Sequence, residues 1–221
     1  MRSMCSKRRS QASSATPSLA PPEVATPELA PFAAAHERRG SPRFYRENRM
    51  GDSTVRELVY GRGAHVDPVA SIEDVPAELA ARLVAGSPHS IWQIVEHMNY
   101  WMDYDLAIMA GDHRPYPNQA GKSWPAHPGP AADHREAEQR WLATIRRFTD
   151  LLVEVARLAG SNGAVLERKV FSPGPSPAPR ETTVHAMLYQ ITAHNSYHAG
   201  QIVLLRRQAG AWPPERGGDT W

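Results

Sequence analysis

The chain has 221 residues, 41% of them hydrophobic and 22% charged, with a formal net charge of +2. This composition suits one globular core with room for a short second unit. No apolar run reaches the roughly 18 residues of a membrane span, the N-terminus lacks the apolar core of a secretory signal, and a lone Cys5 excludes an internal disulfide or a cysteine-built metal site within one chain. A cytoplasmic protein without a membrane partner is the expectation.

The charge is unevenly spread. Residues 1–49 carry nine basic and four acidic side chains, which leaves sixteen basic against nineteen acidic for the rest. A mildly acidic folded part argues against nucleic acid as its partner. Residues 1–49 are rich in Ser, Pro, Ala and Arg, and Pro17, Pro21, Pro22, Pro27 and Pro31 break any periodic pattern. Such a segment buries too little apolar surface to offset its conformational entropy, so a disordered tail is expected there. Met50-Gly51-Asp52 also reads as an alternative start, with the tail a translated upstream region; a targeting or DNA-touching arm is the third reading. The folded domain is expected to occupy residues 50–221.

From Asp52 onward helical signals follow one another. Val55, Leu58 and Val59 mark a first helix capped by Asp52 or Ser53 and weakened by Gly61 and Gly63. Asp67-Pro68 predicts a helix restarting through Val69 and Ile72, either separate from the first or its kinked continuation. Pro76 to Val84 offers one short helix, and Gly86-Ser87-Pro88 a turn. The second long helix is expected from about Pro88 to Met109, with Ser90 and Gln93 as a capping box. Residues 112–131 hold five prolines and read as a long ordered loop or lid. The third long helix spans about Asp133 to Ala159; Trp141, Ile145, Phe148, Leu152, Val155 and Ala159 form its apolar stripe and Gly160 stops it. Residues 161–180 form a second loop, in which Val165 to Phe171 offers a short extended piece. The last helix begins near Glu181–Thr183 and runs to about Gln208. Four helical segments with long connections and no convincing strands predict an all-α helical bundle.

Three histidines are expected to face the interior of that bundle. His97 recurs with Ile94, Trp101, Tyr104 and Ile108 at steps of three and four on the second helix. His194 and His198 stand four apart on the last helix, so their rings lie on one face. That face also carries Val184, Leu188, Ile191, Ile202 and Leu205. A buried imidazole needs a partner. Hydrogen-bonded core histidines are one reading; three ligands to one divalent ion, with positions open for water or substrate, are the other. His185 precedes His194 by nine residues, about 900° of helical turn, and so points the opposite way. His89 lies two turns before His97, too far to share an ion. His113, His127 and His134 read as surface residues, and His65 as an outer candidate near the site. Trp101 and Tyr104 above His97, Gln201 one turn beyond His198, and Asn195 could line a pocket or orient an imidazole. Glu96 and Asp103 read as solvated, and Ser196 projects off the histidine face.

The run from Ser90 to Trp101 (S-I-W-Q-I-V-E-H-M-N-Y-W), the run from His194 to Gln208 (H-N-S-Y-H-A-G-Q-I-V-L-L-R-R-Q) and the closing G-A-W-P-P-E-R-G-G-D-T-W together resemble the DinB/YfiT-like superfamily of metalloenzymes. The resemblance covers about residues 52–221. It implies a four-helix bundle in up-down-down-up order, often dimeric. It also implies a divalent ion held by one His of the second helix and an H-x-x-x-H pair of the fourth, matched here by His97, His194 and His198. Imidazole ligands suit several ions; zinc or nickel is the expectation. Relatives include transferases that use low-molecular-weight thiols such as bacillithiol, mycothiol or glutathione. A thiol-dependent S-transferase acting on a small molecule is therefore the leading functional expectation. A metal-dependent hydrolase on the same three histidines and a non-catalytic metal-binding bundle are the alternatives, and a homodimer is the expected assembly.

Overall fold

A computed structural model describes residues 53–117, 120–130, 133–174, 178 and 180–214. The tail at 1–49 and its expected disorder lie outside the described residues, as do Asp52 and the closing residues 215–221. The described chain is mainly helical: α1 (Ser53–Val59), α2 (Ala77–Ala81), α3 (Ile91–Met109), α4 (His134–Ala159), α5 (Gly163–Leu166) and α6 (Val184–Gln208), with a 3-10 turn at Ala120–Ser123. No helix among the described residues is long and apolar enough to cross a membrane.

Capping chemistry sets the long helices where the sequence predicts them. The Ser90 hydroxyl accepts from the Gln93 backbone N–H while the Gln93 side chain accepts from the Ser90 N–H, closing the capping box of α3. Asp133 caps α4 through the Glu136 N–H, and Gly160 follows its last turn. Thr183 caps α6 through the Ala186 N–H, so that helix begins at Val184 rather than at Glu181.

The predicted apolar stripes are the core. Trp141, Phe148, Leu152, Val155 and Ala159 of α4 meet Val184, Leu188, Ile191, Ile202 and Leu205 of α6 and Ile94, Tyr104 and Ile108 of α3 in one buried cluster. α3 packs on both α4 and α6, and α1 packs on the same two helices. The short α2 is tied to α4 by the Glu138 carboxylate, which accepts the Ala77 N–H at 2.8 Å. Just before α2, the Trp141 indole donates to the Val75 carbonyl.

Two local expectations are corrected. Residues 68–74 form a run of turns instead of a helix. The Asp67 carboxylate takes the Val69 N–H at 2.8 Å and Ser71 donates to the Pro68 carbonyl; these local bonds compete with a regular helical ladder. The first helix ends at Val59, ahead of the glycines expected to weaken it. Gly61 sits at φ +72°, where a Cβ would meet the His65 carbonyl at 2.5 Å, so only glycine fits this reversal. The second correction concerns strands. Lys169–Ser172 (β1) and Arg180–Thr183 (β2) form an antiparallel pair, with Lys169 opposite Thr183 and Ser172 opposite Arg180. The extended piece thus starts at Lys169. Asn162, accepting from the Val165 N–H, makes Gly163–Leu166 a turn of helix before it.

One buried ion pair closes the fold. The side chain of Arg206 on α6 is 3% exposed and holds Asp74 with two nitrogens at 2.8 and 3.1 Å. It also donates to the carbonyls of Ser71 and Ala211 and lies 5.3 Å from the Trp212 ring. This contact fixes the turn segment and the chain beyond α6 on the same helix end. Arg206→Met removes one donor group from Asp74 and from two carbonyls, so a loss of about 3–5 kcal/mol is expected. Urea unfolding of the variant measures it, and an unchanged midpoint would show that the contact adds nothing.

Candidate metal centre

α3 brings His97 and α6 brings His194 and His198 to one point. The Nε2 atoms of His97 and His194 are 3.2 Å apart, and those of His198 and His194 3.1 Å apart. One ring nitrogen from each of the three lies within 4.8 Å of the other two, a group that could hold a metal ion. Two imidazole nitrogens bound to one tetrahedral ion at about 2.0–2.1 Å stand about 3.3 Å from each other. The observed spacing is close to that.

The outer nitrogens decide which way the lone pairs point. His198 Nδ1 lies 2.7 Å from Gln201 Oε1. An amide oxygen only accepts, so the His198 ring carries its proton on Nδ1 and turns the Nε2 lone pair inward. The Gln201 amide nitrogen in turn donates to the Tyr197 hydroxyl. His97 Nδ1 faces Ser123, with the hydroxyl at 2.9 Å and a hydrogen bond to the Ser123 backbone that favours the protonated nitrogen. Its Nε2 lone pair also points inward. A proton on His194 Nε2 can be given to only one of the two others, so two inward lone pairs converge with one donor between them. A cation at the centre satisfies all three, and the donor set therefore fits a divalent ion.

Electrostatics keep the rings neutral, the form that ligates metals. Burial, then repulsion from His198 and His194, lowers His97 to about 3. Burial, then His198, lowers His194 to about 4. Burial lowers His198 against the opposing hydrogen bond that its Nδ1–H gives to Gln201.

The loop after α3 covers the cluster. The Trp124 ring lies flat between two imidazoles, 3.7 Å from His97 at 9° and 3.7 Å from His89 at 6°. Gln93 donates to the Pro125 carbonyl and Ser90 to the Pro128 carbonyl. Ser90, Gln93 and His97 thus grip residues 123–128 from one face of α3. Ser123 and Trp124 are the site residues that sequence reasoning missed. An isolated tryptophan within a proline-rich loop was the available signal.

The remaining candidates sort clearly. His89 takes no place in the cluster and stacks on Trp124 instead. His65 reaches Ser196 through Nε2 at 2.8 Å, on the side of α6 away from the three rings. His113, His127 and His134 are exposed, and His185 packs on Tyr189. Asn195 is buried and donates to the Met102 sulfur. Trp101 presents its ring edge-on to His97 at 6.3 Å. Glu96 is not simply solvated, because its carboxylate accepts from Thr144 on α4; Asp103 pairs with Arg114 and Arg147 at the surface.

Fold and site together define a mainly helical protein with a sheltered trihistidine cluster able to hold a divalent ion. The chain belongs to the DinB family, whose model matches residues 69–217 and so includes all three histidines. No curated protein and no solved structure matches it significantly.

The depressed histidines give a signed pH dependence. In the unfolded chain they titrate near 6.5, so between pH 6.5 and about 4 the unfolded state binds more protons than the folded one. Stability of the metal-stripped protein is therefore full above pH 6.5 and falls on acidification. The slope is up to about 1.4 kcal/mol per pH unit for each such ring. Asp105, raised to about 7 by burial, opposes this with a single proton. Denaturant titrations from pH 7.5 to 5 check the sign, and His194→Gln should flatten the slope.

Proposed function

We propose that this protein is a divalent-metal-dependent enzyme in which His97, His194 and His198 hold the ion, zinc or nickel, and a low-molecular-weight thiol is the cosubstrate of an S-transfer to a small electrophile. The observation that carries the reading is the convergence of inward Nε2 lone pairs on one point. Family membership supports the same residues in the same roles. Three protein ligands leave at least one coordination position open, and a divalent ion there supplies Lewis acidity that favours ionisation of a thiol. The chain's own residues do the rest. Gln201 and Ser123 hold two imidazoles in the ligating tautomer. Trp124 shields one side of the cluster from water, and the aromatic rings of α3 wall another.

In the same reading, residues 50–221 are the domain. α1, α3, α4 and α6 are its four bundle members in up-down-down-up order, which the packing of α3 and α1 on both α4 and α6 supports. A homodimer is supported by the exposed Tyr189, Tyr197 and Leu204 along α6, and sedimentation should return twice the chain mass. The single cysteine supports a cytoplasmic setting.

Elemental analysis of protein purified without a polyhistidine tag should find about one divalent ion per chain, and His194→Ala should lose it. Unchanged metal content in that variant would sink the reading. Gln201→Ala should weaken metal affinity by about 10–100-fold through the His198 ring, measured by competition with a chelator. Incubating metal-loaded protein with glutathione, mycothiol or bacillithiol and an electrophile should give a conjugate, and a chelator should abolish it. Thiol-independent ester hydrolysis would replace S-transfer with hydrolysis at the same site.

A further inference from the structure

A cavity of about 200 Å³ opens beside the histidine cluster, between α3, α6 and the end of β1. His194 forms part of its wall, so any occupant lies against the cluster. The volume is below the roughly 300–1,000 Å³ usual for drug-sized ligands, which restricts the occupant to a small molecule.

Two polar side chains in the wall lack partners. Asp105 is 6% exposed and Tyr104 5%. The Tyr104 hydroxyl has no hydrogen-bond partner among the described residues. Nothing described donates to the Asp105 carboxyl either, and burial alone pushes it up to about 7. Buried polar groups are normally satisfied; the Tyr104 oxygen is enclosed by the protein, so the Asp105 carboxyl in the cavity wall marks the place of a ligand donor.

The rest of the wall indicates their charge. Trp101, Tyr104 and Tyr116 form an aromatic cluster with ring centroids 5.6, 5.7 and 6.4 Å apart. Ring faces and a carboxylate both favour a cation. No lysine or arginine lines the cavity among the described residues. Arg114, nearby in sequence, is held by Asp103 and Asp112. The Asp105 carboxylate opposes an anionic occupant.

We propose that this cavity binds a small organic ammonium, its N–H groups on Asp105, its apolar body against Trp101 and Tyr116, and its far end toward His194. That the ammonium compound is the substrate rests on the metal-enzyme reading above; the preference for a cation does not.

Calorimetry on the full chain with three probes of similar shape tests the idea: 2-phenylethylammonium, 2-phenylethanol and 3-phenylpropionate. The ammonium should bind about tenfold tighter than the alcohol, and the carboxylate more weakly than either. Asp105→Asn should bring the ammonium down to the level of the alcohol. Trp101→Leu should weaken the ammonium more than the carboxylate. If Asp105→Asn fails to fold, the order of the three probes on the native chain and on Trp101→Leu decides alone. No binding of any probe, equal binding of ammonium and alcohol, or a cation preference that survives Asp105→Asn overturns the assignment. His198→Ala separates the two readings, because His198 does not line this cavity. Metal lost with cation preference kept supports the cavity on its own terms. Metal bound by the native chain without a cation preference overturns the cavity and leaves the metal reading standing.

Discussion

Three imidazole nitrogens share one small volume inside an apolar helical core, and the rest of the structure is arranged to allow it. Neutral rings at this spacing are tolerable only when their lone pairs and protons are directed from outside. Gln201 and Ser123 direct two of them. The helices must also hold register. A slip of one residue turns a side chain by about 100° and moves it 1.5 Å along the axis, enough to carry a ring out of the cluster. The packing of Ile94, Met98 and Met102 of α3 within the same core as Ile191 and Ile202 of α6 prevents that slip.

α3 serves two purposes along its length, and the cluster lies where they meet. Its N-terminal half presents Ser90, Gln93 and His97 to the loop at 123–128. Its C-terminal half presents Trp101, Tyr104 and Asp105 to the cavity. The loop segment is therefore no loose flap: backbone carbonyls of Pro125 and Pro128 accept from α3, and the Trp124 ring fills the space between His89 and His97. At the far end of α6, Arg206 binds the turn segment that replaces the helix expected to restart at Asp67-Pro68, so a locally irregular stretch is held by a contact made more than a hundred residues later in the chain.

Much of this was written locally in the chain. Helix limits at Ser90, Asp133 and Gly160 followed from capping residues. The inward placement of His97, His194 and His198 followed from a 3.6-residue period, since a histidine in step with Ile94 and Ile108, or with Ile191 and Ile202, must face the same way as they do. What failed was also local: the Asp67-Pro68 signal was read as a helix start, but the Asp67 side chain and Ser71 satisfied the backbone as turns. The extended piece expected at Val165 to Phe171 overlaps β1, but its limits and its pairing with Arg180–Thr183 were missed because four-residue strands carry almost no periodic signal of their own.

Periodicity thus determined which side chains point into the core. It could not determine which of them meet, because that depends on contacts between segments tens of residues apart. Only the tertiary structure brought His97 within 3.2 Å of His194, slid Trp124 between two histidines, and left Asp105 buried beside the cluster without a partner among the described residues. Nothing in the spacing of a proline-rich loop or in a lone aspartate on a helix encodes those neighbours; the packing of one helix on another creates them.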